Sequence, residues 1–137
     1  MDHGESAHQV RVRYAESDQM GFSYYANYLV WFEVGRTEWL RTRGCTYRSL
    51  EDDGFLLPVT EACCRYLAPS SYDDSIFIYT RVGKLTRVQL RFDYRLIRED
   101  GTVLATGHTN HCFLSKEGRP LRAPEKIQEL IRRELSL

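Results

Sequence analysis

RVQLRFDYRLIREDGTVLATGHTNHCFL, residues 87–114, is the stretch that decides the fold. In its first half Val88, Leu90, Phe92, Tyr94 and Leu96 alternate with Gln89, Arg91, Asp93 and Arg95. A period of two puts successive side chains on opposite faces, so the pattern predicts a strand with one face on a core. Glu99-Asp100-Gly101-Thr102 then has hairpin-turn chemistry, and Val103 to Leu114 returns as a second strand. Strands joined by so short a turn are antiparallel, because a parallel pair needs a long crossover.

Upstream, Ser75 to Lys84 alternates again, with Ile76, Ile78, Thr80 and Val82 on one face. Phe55 to Leu67 reads as a strand interrupted early by Pro58, and residues 8–14 as a first strand with Val10, Val12 and Tyr14 on one side. A long helix lies between them, starting somewhere from Ser23 to Asn27, both suitable caps. Tyr28, Trp31, Phe32, Gly35 and Trp39 recur at helical spacing. Arg41, Arg43 and Gly44 give the basic last turn and glycine stop of a helix end. A short helix or turn spans Thr46 to Asp53. Pro124 opens a terminal helix whose apolar face is Ile127, Leu130, Ile131 and Leu135.

Strands grouped after a helix indicate an α+β antiparallel sheet, here a single domain over residues 1–137. The strands run to about ten residues, against a usual five or six, and long antiparallel strands curl. The predicted architecture is therefore a curled antiparallel sheet of about five strands wrapped around a long central helix. Gly35 supports the wrap. A mid-helix glycine costs ~1 kcal/mol relative to alanine, which a close approach to another backbone would offset.

Nineteen basic and nineteen acidic side chains cancel, so no global attraction to nucleic acid or anionic membrane is encoded. Arg81, Arg87, Arg91 and Arg95 read as a solvated strand face. No apolar run approaches the ~20 residues that span a bilayer. Met1 to Glu5 has neither a basic region nor an apolar stretch, so no signal peptide is expected. Cys45, Cys63, Cys64 and Cys112 form no C-x-x-C pair and read as reduced, mostly structural thiols in a cytoplasmic protein. His108 and His111 lie three apart in a strand and face opposite sides, so a zinc site is not expected. No G-x-S-x-G elbow or glycine-rich phosphate loop occurs.

Chemistry concentrates in residues 14–28, YAESDQMGFSYYANY, a polar loop running from a strand into a helix N-terminus. The first turn of a helix leaves N–H groups unpaired and partially positive. Such a place can hold a carbonyl oxygen that becomes negative during acyl transfer. Asp18 lies just upstream, and an ordinary aspartate of pKa about 3.9 is ionised at neutral pH. Two readings stay open on local chemistry alone: Asp18 as a reacting carboxylate, or Asp18 as an Asx-turn residue with Gly21 supplying the permissive backbone.

Ser17-Asp18, Gly21, Ala26-Asn27-Tyr28 and Phe32-Glu33 resemble the signature of hotdog-fold thioesterases of the 4-hydroxybenzoyl-CoA thioesterase type. They are especially similar to the acyl-CoA thioesterases associated with the Tol–Pal system. Arg65-Tyr66-Leu67-Ala68-Pro69, Tyr72-Asp73-Asp74 and the closing His111 to Pro120 extend the likeness over nearly the whole chain. The resemblance implies hydrolysis of acyl-CoA, with Asp18 as nucleophile or general base. Backbone N–H groups near Tyr24 and Tyr25 would polarise the thioester, and Gly21, Phe22, Tyr24 and Tyr25 would bind substrate. It implies no metal or bound cofactor, and assembly as a homodimer or homotetramer. An acyl carrier protein substrate and a non-catalytic acyl-CoA-binding module are the alternatives. Those relatives commonly carry His where this chain has Tyr25, which bears on substrate range.

CoA's phosphates need local positive charge, for which Lys84, Arg87 and Arg91 are the candidates. Glu33 is the rival catalytic carboxylate, but it lies too far along the helix to reach a carbonyl at the helix start. His111 reads as a packed strand residue, and Glu61 and Arg65 as a pair on one strand face.

Overall fold

The computed structural model describes residues 4–135. Five long strands and one short one form a single antiparallel sheet: β1 (Ser6–Arg11), β2 (Val59–Tyr66), β3 (Ser75–Leu85), β4 (Gln89–Arg98), β5 (Val103–Leu114) and β6 (Pro120–Leu121). The order across the sheet is β1-β3-β4-β5-β2, with β6 pairing the end of β5. Helix α1 (Asn27–Arg41) packs along the inward face, α2 (Tyr47–Asp52) follows it, and α3 (Glu125–Leu135) closes the described chain. The curled sheet around a long helix is thus as the sequence predicts.

The alternation in β4 places Leu90, Phe92, Tyr94 and Leu96 inside, each almost fully buried. They meet Tyr28, Trp31, Phe32, Trp39 and Leu40 of α1. Phe32 stacks on Tyr94 at 4.3 Å. The helix approaches closely enough that glycine is required at two points. A methyl on Gly35 would collide with Thr80 Oγ1 and sit 2.7 Å from Ile78 Cγ2. A methyl on Gly107 would run into the Cys63 carbonyl oxygen and lie 2.6 Å from the Phe32 ring.

Several boundaries differ from the sequence expectations. The first strand ends at Arg11, because its partner β3 begins at Ser75, directly opposite Arg11. Tyr14 therefore leaves the strand for a 3-10 turn over Tyr14–Glu16 and is exposed. β2 begins at Val59, since Pro58 has no N–H to give the ladder. Neither Ser23 nor Asn27 caps α1 by its side chain; the cap position is Ala26. Val88 lies in the turn before β4 and is half exposed, and Leu135 is likewise exposed. Glu61 does not pair with Arg65: its carboxylate accepts from His108 Nε2 at 3.0 Å and Asn110 Nδ2 at 3.1 Å, both across the strand boundary on β5.

The two sheet edges are not equivalent. Neither edge strand has an outer partner among the described residues, but seven of the eight residues of β2 are exposed, on both faces, whereas β1 alternates. The adjoining face of α1 is also uncovered, with Leu29, Val30 and Glu33 open to solvent. No described helix is long and apolar enough to cross a membrane.

Candidate active site

The loop from β1 to α1 is clamped at both ends by one residue that sequence reasoning missed. Glu16 is only 5% exposed. Its carboxylate accepts from the Arg13 backbone N–H at 2.7 Å and from Trp31 Nε1 at 3.1 Å. Its carbonyl accepts from the Tyr24 N–H at 2.7 Å and from Asn27 Nδ2 at 2.8 Å. The segment Ser17–Ser23 is therefore a closed bight, pinned where it leaves Glu16 and where it returns to Tyr24. A buried carboxylate in a loop without periodicity leaves no pattern in a sequence, because its partners are fixed only when the helix docks.

Within the bight Asp18 is exposed. Its Oδ1 accepts from the N–H groups of Met20 at 2.8 Å and Phe22 at 3.2 Å. Its own N–H donates to the Phe22 carbonyl at 2.7 Å, and Gly21 donates back to the Asp18 carbonyl. Gly21 adopts φ +82°, a conformation that disfavours side chains. The Asx turn is thus present, but it occupies only Oδ1. Oδ2 has no hydrogen-bond partner among the described residues.

Bridges from Ser17 to Ser23 and from Phe22 to Ser71 tie the bight to the segment before β3. Behind it, Tyr28 OH, Ser70 Oγ and Ser23 Oγ form a buried hydroxyl chain with links of 3.0 and 2.7 Å. At the helix start the Tyr24 N–H, one of the two groups the resemblance pointed to, is consumed by Glu16. The N–H groups of Tyr25 and Ala26 carry no hydrogen bond among the described residues.

Beside the helix start lies a cleft of about 350 Å³ lined by Phe22, Tyr25, Tyr28, Tyr66 and the segment Leu67–Pro69. The rings of Tyr25 and Tyr28 meet Tyr66 at 6.3 and 5.0 Å. Tyr66 OH donates to the Tyr25 carbonyl at 2.9 Å. Burial, followed by the neighbouring Cys64 thiol, pushes the Tyr66 phenol up to about 12, so it remains a donor at neutral pH. Tyr24 stands next to this cage, its ring 4.7 Å from Tyr25, without lining the cleft.

The other candidates lie elsewhere. Glu33 is exposed on the uncovered face of α1, six residues or about 9 Å past the helix start. His111 is buried and bonds Thr109 Oγ1 at 2.8 Å. Lys84, Arg87 and Arg91 sit around the β3–β4 turn, whereas the bight meets β3 near Ser75. Ten residues of strand, roughly 33 Å, separate those two ends. Arg91 is moreover paired with Asp93 at 2.8 Å. Within one chain these three cations are not brought to Asp18.

Residues 12–131 match the thioesterase-like superfamily. The chain belongs to this superfamily. Among thioesterase relatives it is 34% identical to the putative acyl-CoA thioesterase YneP of Bacillus subtilis, over 82% of this chain and 81% of that protein. It is also 34% identical to the acyl-CoA thioesterase YbgC of Haemophilus influenzae, over 87% and 88% of the two chains. The thioesterase fold superposes on the DHNA-CoA thioesterase of Staphylococcus aureus with a TM-score of 0.92 at 28% identity, covering 97% of this chain and 92% of that one. The hotdog architecture is shared with that superposed thioesterase, and the Asp18 bight lies within the residues that match the superfamily.

Proposed function

We propose that this thioesterase hydrolyses acyl-CoA, with Asp18 as the carboxylate that drives the reaction. One observation carries the reading: Asp18 is held by Oδ1 alone, leaving Oδ2 open on a loop that ends at two unbonded N–H groups, those of Tyr25 and Ala26. Those amides are suited to the thioester oxygen as it gains charge. Oδ2 then attacks the carbonyl carbon, or takes a proton from a water that does, and the CoA thiolate departs. The Phe22, Tyr25, Tyr28 and Tyr66 cleft receives the acyl group. The names carried by the Bacillus and Haemophilus relatives support CoA as the carrier.

The working unit in this reading is at least a homodimer. An unpaired, doubly exposed edge strand is a liability in isolation, and β2 lies beside the uncovered face of α1. A second copy seated there covers both. It also offers a route by which Lys84 and Arg87 meet the CoA phosphates, since their own chain holds them a strand's length from Asp18. Sedimentation is expected to give a dimer or larger at micromolar concentration, and an active monomer would overturn this part.

Asp18→Asn tests the chemistry. Asparagine keeps an oxygen for the Met20 and Phe22 N–H groups, so the loop survives while charge and nucleophilicity go. The expected result is an unchanged melting temperature, retained acyl-CoA binding and a kcat lower by ~10²–10⁴. Glu33→Gln, the matched control on α1, is expected to lose far less. A folded Asp18→Asn enzyme within about threefold of wild type, too small a loss for a missing general base, refutes the mechanism.

A further inference from the structure

A hydroxyl from the sheet reaches the start of α1. Tyr66, the last residue of β2, stands opposite Ala105 of β5, and the two N–H groups that follow it, those of Leu67 and Ala68, both donate to the Leu104 carbonyl. Its backbone is therefore fixed to the sheet and not to the loop it faces. From there its ring meets Tyr28 at 5.0 Å and Tyr25 at 6.3 Å. The hydroxyl donates to the Tyr25 carbonyl at 2.9 Å, across 41 residues of chain.

That carbonyl has no need of a second donor for stability. It already accepts from the Tyr28 N–H at 3.2 Å, and Tyr66 is 46% exposed, so water is at hand for the other lone pair. What sets this carbonyl apart is the other end of its own peptide unit. There stands the Ala26 N–H, one of the two at the helix start with no hydrogen bond among the described residues. The unit is planar and trans, with its C=O and N–H directed oppositely. A donor at the oxygen fixes the tilt of the plane and polarises the N–H, since linked hydrogen bonds strengthen one another. The preceding unit lacks such a donor from the sheet. Its carbonyl, that of Tyr24, accepts from the Asn27 N–H alone among the described residues, at 3.0 Å.

We infer, resting on the reading of Asp18 and the helix start proposed above, that Tyr66 is a positioning residue whose hydroxyl orients and polarises the Ala26 N–H for the thioester oxygen. The links run from the Tyr66 O–H to the Tyr25 carbonyl, and from the Ala26 N–H to the substrate, and no proton passes along them. Negative charge gathers on the thioester oxygen as its carbon is attacked. The links therefore tighten in the transition state more than in the ground state, and the effect falls on kcat. Burial, followed by the Cys64 thiol, holds the phenol up at about 12, so it stays a donor at neutral pH. One such link strengthens the next by ~10–30%, and an oxyanion donor is worth ~10²–10³ in kcat. The share carried by Tyr66 is then ~2–8-fold.

Tyr66→Phe removes the hydroxyl and keeps the ring that lines the cleft. The expected enzyme has an unchanged melting temperature, an unchanged KM and a kcat lower by ~2–8-fold. A second measurement reads the polarisation without any Asp18 chemistry. The probe is a benzoyl-CoA analogue with a methylene in place of sulfur, which cannot be hydrolysed, and the readout is its isotope-labelled C=O stretch. Bound to the native enzyme the stretch is expected below its frequency in water, with part of that shift lost in Tyr66→Phe. Ring-fluorinated tyrosines at position 66 are stronger donors of nearly the same shape. While they keep their proton, they are expected to move both the stretch and kcat in the opposite direction. A merely structural bond gives a lower melting temperature, with neither kcat nor stretch following donor strength. That result, or a Tyr66→Phe enzyme with native kcat and native stretch, overturns the proposal. An inactive Asp18→Asn enzyme beside a Tyr66→Phe enzyme of normal kcat overturns this proposal alone. An active Asp18→Asn enzyme overturns the Asp18 mechanism, and the stretch still decides the role of Tyr66.

Discussion

Glu16→Gln isolates the anchor of the active-site bight. The carboxylate accepts from two N–H donors, Arg13 backbone and Trp31 indole, while almost fully buried. An amide of the same shape has one oxygen and one NH₂, so either orientation sets a donor against a donor. The better orientation keeps the oxygen on the buried indole and gives up the Arg13 contact, which lies nearer the surface. A hydrogen bond to a charged group contributes about 1.5–3 kcal/mol, and water at the Arg13 end recovers part of it. The accompanying ion pair adds little, because the Arg13 side chain is 74% exposed. The expected loss is about 2 kcal/mol, or roughly 6–10 °C in Tm for a domain of this size. Loosening of the Glu16 carbonyl then releases Tyr24 and Asn27, and Asp18 shifts relative to the helix start. A displacement near 1 Å is expected to lower kcat by ~10–10². Chemical denaturation and steady-state hydrolysis measure the two effects, and a Trp31→Phe partner completes a double-mutant cycle. A glutamine variant within about 0.5 kcal/mol of wild type, with unchanged kcat, refutes the anchoring argument.

Gly35→Ala gains ~1 kcal/mol of helix propensity but drives a methyl into the stiff, buried Thr80 and Ile78, at a cost of about 1–3 kcal/mol. Urea unfolding is expected to show a net loss of about 1–2 kcal/mol, partly restored by adding Thr80→Ala; a more stable single variant refutes the tight approach. Burial, reinforced by the nearby Arg36 charge, holds the His111 imidazole down at about 4. Between pH ~6.5 and ~4 the unfolded chain therefore binds a proton that the native state refuses. Stability is full above pH ~6.5 and falls by about 3 kcal/mol as pH drops to ~4. A His111→Asn protein is expected to lack this component of the pH slope, so identical slopes count against the assignment.

Local repetition was enough to make the strands, the helix and the inward faces legible. Leu90 to Leu96 and Tyr28 to Trp39 repeat at the period of their own element, and burial acts on each repeat separately. The same holds for Asp18 and Gly21, whose Asx turn closes within five residues and needs no distant partner. The Asp18 surroundings were different. The donor that occupies Glu16, the loss of the Tyr24 N–H to its carbonyl, and the Tyr66 ring across from Tyr25 all join segments that meet only after the helix docks on the sheet. Register was equally invisible in one dimension. A strand repeats every two residues whichever residue stands opposite, so the sequence could not say that Glu61 meets His108 or that Arg95 stands opposite Thr106. Nor could it place Lys84 and Arg87 a strand's length from Asp18, because that distance follows from β1 ending where β3 begins. Short-range periodicity is a property of the chain, whereas cross-strand neighbours and free hydrogen-bond donors are properties of the closed sheet.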